Sequence, residues 1–321
     1  MRGAILLLAV LLPVGVAEAD PAYWQGEWPD TDFSRHSIPF DEVLSGGPPK
    51  DGIPAIDDPV FVTVAQAGEL APEEPVISVV IGGEARAYPL RIMIWHEIVN
   101  DTIAGTPIAV TWCPLCNSSV VFDRRIGGRT LSFGTTGKLR HSDLIMYDRE
   151  TESWWQQFIG EAVVGELLGE RLDLVPARVE SMARFRVRFP NGRVLVPPEP
   201  ELRAYGRNPY VGYDTSNSPF LYRGPYDSTL PPLSRVVSVG ARAWSLDKLM
   251  AARELVAGDL ILSWEPGQAS PLDASSIEAG RDIGNVTVQR RTADGLVDVA
   301  HDISFAFAFR AFYPDAPIDG E

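Results

Sequence analysis

The sequence is poor in cysteine and in basic residues, and each shortage excludes a class of protein. Only two cysteines occur in 321 residues, so the chain cannot be a small secreted domain whose fold depends on several disulfides. Lysine and arginine total 28 against 43 acidic residues, which gives a formal net charge of −15. Because nucleic acids bind basic surfaces, we expect no nucleic-acid partner. The sequence does not identify a protein or small-molecule partner.

Long apolar runs are also missing after the first twenty residues, so no later segment is predicted to span a membrane. The N-terminus has a basic residue followed by an apolar run over 4–16, and it ends in Ala17-Glu18-Ala19. This pattern is typical of a secretory signal peptide over residues 1–19. The alternative is an uncleaved anchor, but the run is short for about 30 Å of hydrocarbon. We expect a soluble periplasmic or secreted protein with no membrane association after signal cleavage.

Short apolar segments separated by glycine turns predict a mainly β fold, of the β-rich α+β kind, with a few short helices. About 300 mature residues can bury a substantial core. We expect an extended N-terminal arm over residues 20–60 and a first β-rich unit, with both cysteines, over 61–195. A long loop rich in Pro, Tyr and Asn covers 196–232, and a second unit covers 233–321.

The second unit repeats motifs of the first in the same order, which predicts a duplicated β-rich unit in one globular body. In the second copy the cysteine positions become Glu265 and Gln268, and the motif alignment sets His96 against Arg253. Because that copy lacks thiols, we expect the cysteines to serve chemistry rather than shape. The matched motifs are Val76–Val79 with Val236–Val239, Ala85–Leu90 with Ala241–Leu246, Glu97–Val99 with Glu254–Val256, and Ile108–Trp112 with Leu260–Trp264.

The segment Cys113-Pro-Leu-Cys116 allows three interpretations. A reactive redox pair is favoured at a helix N-terminus, whereas the residues after Cys116 predict a turn followed by a strand. A metal knuckle uses two thiolates and requires further ligands from elsewhere. A structural disulfide would form readily in an oxidising compartment, although so short a loop stabilises a protein little.

Metal binding is the leading hypothesis, with zinc or copper as the ion. His96 is the best candidate for a third ligand beside Cys113 and Cys116, because the strand after it returns to the cysteines. His141 and Met146 are further candidates. Two thiolates with imidazole suit zinc, and a thioether from Met146 would favour copper.

A polar block over 134–156 has no counterpart in the second copy and is dense in groups that bind protons. It contains neither a phosphate-binding glycine loop nor a nucleophile elbow. A catalyst that uses this block, a thiol–disulfide oxidoreductase and a non-catalytic binding module that presents the 196–232 loop are the alternatives to metal binding. Whether the protein is an enzyme is therefore open. The candidate catalytic residues are Arg140, Asp143, Tyr147, Asp148 and Arg149.

Five motifs together resemble the prokaryotic family of unknown function DUF3179, from about Asp51 to the C-terminus. The resemblance implies no activity. His96 and both cysteines fit the family pattern, whereas asparagine is often found at the position of His141, which argues against an essential role for that histidine. The motifs are Asp51-Gly-Ile-Pro-Ala-Ile-Asp57, Ala85-Arg-Ala-Tyr-Pro-Leu90, Trp95-His-Glu-Ile-Val-Asn-Asp101, Cys113-Pro-Leu-Cys116 and Met146-Tyr-Asp-Arg149.

Overall fold

The computed structural model describes residues 21–321. The predicted signal peptide, residues 1–19, lies outside the described residues. No helix within the described part is both long and apolar enough to cross a membrane. The protein is mainly β with a few short helices, as the sequence predicts.

Residues 21–195 of the described chain contain fifteen strands and three short α-helices. In chain order they are α1 Pro21–Trp24, β1 Val43–Ser45, β2 Phe61–Thr63, β3 Pro75–Ile81, β4 Glu84–Pro89, α2 Leu90–His96, β5 Ile98–Ile103, β6 Thr106–Cys113, β7 Ser118–Asp123, β8 Arg125–Ile126, β9 Arg129–Thr130, β10 Phe133–Arg140, β11 Asp143–Asp148, β12 Trp154–Gln156, β13 Glu161–Val164, β14 Ala177–Ser181, α3 Met182–Arg188 and β15 Arg193–Leu195.

The second half is shorter and contains eight strands and two α-helices. They are β16 Arg235–Val239, β17 Arg242–Ser245, α4 Leu246–Ala252, β18 Glu254–Ala257, β19 Leu260–Glu265, β20 Asn285–Thr292, β21 Gly295–Asp298, β22 Asp302–Phe305, α5 Ala306–Phe312 and β23 Ile318–Asp319. Single 3-10 turns occur at Phe40–Glu42, Tyr213–Thr215 and Ile277–Ala279.

Strand pairing confirms the predicted duplication. The order β14-β3-β4-β15 in one sheet recurs as β22-β16-β17-β23, and β5-β6-β7 recurs as β18-β19-β20. In each copy the last strand is parallel to its neighbour, β15 to β4 and β23 to β17, whereas the other pairs in these sheets are antiparallel. The turn between β3 and β4 uses Gly82 and Gly83. Both have positive φ, which residues other than glycine rarely adopt.

The strand register corrects one detail of the sequence alignment. Ile98 pairs with Thr111 in the first copy, and Glu254 pairs with Ser263 in the second. Because Trp112 and Trp264 follow directly, Glu97 is equivalent to Arg253. Setting His96 against Arg253 was therefore wrong by one residue.

The two units pack through equivalent strands. β7 of the first unit lies against β22 of the second, and β20 of the second lies against β14 of the first. The backbone N–H of Ser119 donates to Asp302 Oδ1 at 2.8 Å, and that of Ser181 donates to Asn285 Oδ1 at 2.7 Å. The hairpin that carries the cysteines is therefore held against the second unit.

The first unit also contains an insertion over 124–176, where the second unit has only 293–301. The insertion forms a sheet of order β1-β10-β11-β12-β13, whose edge strand β1 comes from the predicted arm. Trp28 of the arm packs its ring edge-on against Tyr147 and Trp154 of this sheet. The boundaries of the arm, the units and the loop stay predictions.

Candidate metal site

Cys113 ends β6, and Cys116 lies in the tight turn before β7. Asn117 completes the turn at φ 52, and its backbone N–H donates to Pro114 O at 3.2 Å. The prediction of a turn followed by a strand is confirmed. No helix begins at the cysteines, so no helix dipole favours a thiolate here.

The two sulfur atoms and a carboxylate oxygen of Asp143 lie within 4.8 Å of one another, and all three residues are buried. Asp143 begins β11, directly after the turn of His141 and Ser142, both of which have positive φ. The Cys113 thiol donates to Ser142 O at 3.5 Å, and the Cys116 thiol donates to His141 O at 3.9 Å. Two hairpin turns thus face each other across the cluster.

The carboxyl group of Asp143 is only half satisfied. Its Oδ2 accepts hydrogen bonds from Gln156 Nε2 at 2.6 Å and from the backbone N–H of Phe158 at 3.0 Å. Its buried Oδ1 has no hydrogen-bond partner among the described residues. Burial raises the pKa of Asp143 to about 7. One oxygen atom of this side chain is therefore available to a ligand.

Both cysteines have free thiols. Burial raises the pKa of the Cys113 thiol, to which the charge of Asp143 also contributes. Burial raises the pKa of Cys116 well above its ordinary value, and the nearby Cys113 and Asp143 raise it further. At neutral pH both thiols are protonated, so neither is an activated nucleophile.

Two acidic residues near the cluster were not singled out from the sequence. Glu97 follows α2 in a left-handed conformation, φ 59, and is only 8% exposed. Its carboxylate has no hydrogen-bond or ion-pair partner in the part of the chain that the structure describes. Burial raises its pKa to about 8, and the charge of Asp143 adds to this. Its only sequence signal is the exchange of Glu97 for Arg253 between the copies.

Asp302 is the second of these residues and comes from β22 of the other unit. Its Oδ1 accepts from the backbone N–H groups of Ser119 and Ile303, both at 2.8 Å. Burial raises its pKa to about 7, and its charge helps to raise the pKa of Cys116. The sequence offers no signal for it, because Asp302 lies far from the cysteines in the chain.

His96 does not join the group of Cys113, Cys116 and Asp143. Its Nδ1 lies 2.7 Å from Pro54 O, and its Nε2 lies 2.7 Å from the hydroxyl of Tyr205. Because a carbonyl oxygen can only accept, Nδ1 carries the proton and Nε2 accepts from the tyrosine. Burial lowers the pKa of His96. Both ring nitrogens are therefore engaged in joining α2 to two distant segments.

His141 presents its backbone rather than its side chain to the cysteines. Its Nε2 lies 3.4 Å from Glu42 Oε2, and its ring packs edge-on near Phe312. Burial lowers its pKa, with a further contribution from Arg140. Met146 is fully buried in the hydrophobic cluster that also contains both cysteines.

Of the five candidate catalytic residues, only Asp143 belongs to the cysteine cluster. Asp148 accepts from the backbone N–H of Thr151 at 2.7 Å and from Trp155 Nε1 at 2.8 Å, which fixes the turn after β11. The other three join the inserted sheet to the N-terminal arm. Their bonds are Arg140 Nε to Glu42 Oε2 at 2.6 Å, the Tyr147 hydroxyl to Asp51 Oδ2 at 2.5 Å, and Arg149 Nη1 to Asp57 Oδ1 at 2.7 Å.

The loop over 196–232 covers both turns of the site. The hydroxyl of Tyr213 donates to Leu115 O at 3.0 Å, between the two cysteines. The hydroxyl of Ser142 donates to Phe220 O in the same loop. Tyr205 packs its ring parallel to that of His96, with the centroids 5.8 Å apart. The thiols are therefore shielded by a cover rich in tyrosine.

Comparison with known proteins identifies the family and gives no activity. Residues 50–316 match the family described as protein of unknown function (DUF3179). No curated protein and no solved structure matches the chain. The matched region includes the cysteine hairpin, Asp143, Glu97 and Asp302. The chain therefore belongs to the DUF3179 family.

Proposed function

We propose that this protein binds a transition-metal ion, zinc, through Cys113, Cys116 and Asp143. The observation that carries the proposal is the buried cluster of two thiols and one carboxylate within 4.8 Å. In a tetrahedral zinc site, bonds of about 2.0–2.3 Å place neighbouring ligand atoms about 3.3–3.8 Å apart. A contraction of about 1 Å would therefore bring these three atoms to ligand distances.

The local charges support a cation at this position. Glu97, Asp143 and Asp302 all have raised pKa values, and burial is the main cause for each. None of the three forms an ion pair with a lysine or arginine in the described part of the chain. A divalent ion would compensate the charges of ionised thiols and carboxylates, and its binding would release their protons.

The donor set favours zinc over copper. Thiolate sulfur suits both zinc and Cu(I), but a carboxylate oxygen such as that of Asp143 suits zinc better than Cu(I). Three protein ligands leave a fourth coordination position for water or another ligand, as in catalytic zinc sites. Glu97 supplies a buried acid whose charge acts on Cys113 and which the charge of Asp143 affects in turn.

A reactive redox pair is less well supported. Both thiols are buried and their pKa values are raised rather than lowered. Thiol–disulfide exchange requires an accessible thiolate of low pKa. A structural disulfide would leave the free Oδ1 of Asp143 without a role.

We place this protein in the periplasm or outside the cell, as the N-terminal sequence pattern predicts. N-terminal sequencing of the protein from an exported fraction tests this. A mature chain that begins near Asp20 is the expected result. Recovery of the full chain from the cytoplasm only would contradict the export proposal and leave the metal proposal standing.

The metal proposal is tested on residues 20–321 purified under reducing conditions. We expect about one equivalent of zinc by elemental analysis, and loss of that zinc in the double variant Cys113→Ser/Cys116→Ser. His141→Asn is the matched control, because its side chain faces Glu42, and it should keep the metal. Metal-free protein in which thiol titration finds a stable disulfide would contradict the proposal.

A further inference from the structure

A second candidate site lies between the two repeated units and does not depend on the metal. A cavity of about 60 Å³ opens where β7 packs against β22. Its polar lining includes Ser119, His301 and Asp302, and Tyr313 forms part of its wall. No residue of the cysteine cluster lines it.

Two buried oxygen atoms of this lining have no hydrogen-bond partner in the described part of the chain. They are the hydroxyl oxygen of Ser119, a residue that is 6% exposed, and Oδ2 of Asp302. Buried polar atoms almost always have a partner, so unpaired ones indicate a missing ligand or water. Their presence in one cavity suggests that something with hydrogen-bond donors occupies it.

His301 adds a third acceptor. Its Nδ1 lies 2.8 Å from Val299 O, and because a carbonyl can only accept, Nδ1 carries the proton. Nε2 of the neutral ring is then an acceptor, and it makes no hydrogen bond within residues 21–321. A carboxylate, an imidazole nitrogen and a hydroxyl together match an ammonium group, which has three N–H donors and no acceptor.

Most of the remaining lining is apolar, with Ser238 as the exception, which favours an organic cation over a hydrated inorganic ion. Its walls include Phe158 and Leu174, and Leu174 remains 52% exposed. At roughly 10–15 Å³ for each water-sized position, the volume accepts about four to six non-hydrogen atoms. We propose that this cavity binds a small primary alkylammonium ion, with the nitrogen at Asp302, Ser119 and His301 and the alkyl chain against Phe158 and Leu174.

The test is isothermal titration of residues 20–321 with n-butylammonium chloride in sodium phosphate, because amine buffers would compete. We expect saturable binding of one equivalent. n-Butanol, which lacks the positive charge, and potassium, which lacks the alkyl chain, should each bind at least about tenfold more weakly. Equal binding of n-butanol would contradict the role of the carboxylate. Equal binding of potassium would show a bare cation site and overturn the proposal.

Variants locate the site. Asp302→Asn should weaken n-butylammonium binding at least about tenfold, and Ser119→Ala should weaken it less. Asp315→Asn removes one acidic charge from the surface close to Tyr313 and should bind like the unaltered protein. Unchanged affinity in folded Asp302→Asn would overturn the proposal. If that variant does not fold, Ser119→Ala decides, and unchanged affinity there would equally overturn it.

Discussion

Glu97 and Arg253 occupy the same position in the two repeats and share a backbone conformation that few residues other than glycine adopt. Each ends a helix with left-handed geometry, φ 59 and φ 65. The backbone carbonyl of each accepts from the following strand's tryptophan, Trp112 at 2.8 Å and Trp264 at 2.9 Å. The second copy makes this turn with an exposed arginine whose guanidinium lies over the Trp264 ring. The turn itself therefore does not require a buried acid.

This comparison predicts the effect of Glu97→Gln on stability. Folding keeps Glu97 protonated up to a pKa of about 8, whereas the unfolded chain ionises it near its ordinary value. Holding the proton therefore costs stability at neutral and mildly basic pH, on the order of 4 kcal/mol at pH 8. We expect metal-free Glu97→Gln to be more stable than the unaltered protein at pH 8, as measured by urea unfolding.

Arg253→Gln is the matched control, since it changes the equivalent turn without a buried acid. We expect a change of less than about 1 kcal/mol, because only an exposed contact between a cation and a ring is lost. A loss of stability in Glu97→Gln at pH 8 would mean that its carboxylate has a favourable partner in the folded protein.

The metal-free protein should lose stability as pH rises from 6.5 to 9. Asp143 and Asp302 have pKa values of about 7, and Glu97 has one of about 8. Each is raised above its ordinary value, so between the unfolded and the folded pKa the folded state binds more protons than the unfolded state. Stability falls as pH rises through that range. Above pH 8 the raised pKa values of the two cysteine thiols act in the same direction.

The histidines oppose this slope only in the lower part of the window. Burial lowers the pKa values of His96, His141 and His301 below 6.5, so their effect fades by about pH 7.5, where the unfolded imidazoles have also lost their protons. Zinc should reverse the slope, because it binds deprotonated ligands and its affinity rises with pH. Urea unfolding at several pH values, with and without buffered zinc, measures both slopes. Equal slopes would argue against metal binding by these residues.

The cover over the cysteines makes a prediction about thiol reactivity. In the folded metal-free protein we expect a thiol reagent to react at least about 100-fold more slowly than in urea, because the thiols are buried and protonated. Tyr213→Ala removes the hydroxyl that bonds Leu115 O and should raise the rate. Tyr226→Ala is the control in the same loop, since its hydroxyl bonds Leu230 O within the loop and not the cysteine turn. Equal rates in the two variants would show that the cover does not protect the thiols.

The sequence predicts local features of the site well and its long-range contacts poorly. The β-rich duplication and the turn at Cys113 and Cys116 follow from patterns only a few residues long. The engagement of His96 by Tyr205 depends on a loop 109 residues away, and no local pattern encodes it. The sequence indicates that Asp143 binds protons, but its place beside the sulfur atoms depends on the pairing of β10 with β11.

The choice of metal rests on Asp143, and its substitution separates zinc from copper. Asp143→Asn keeps one oxygen that can accept from Gln156 Nε2 and Phe158 N–H, the two bonds of the native carboxylate. We expect zinc affinity to fall about 100-fold. Substitution of a residue that only supports a ligand typically weakens metal binding about 10- to 100-fold, and the loss of a ligand should weaken it at least as much. Cu(I) affinity should hardly change, because Cu(I) prefers the thiolates alone. Competition with chelators of known affinity measures both ions, and Cys116→Ser should weaken both. If Asp143→Asn left zinc affinity unchanged, the carboxylate would not be a ligand and the site would reduce to the two cysteines.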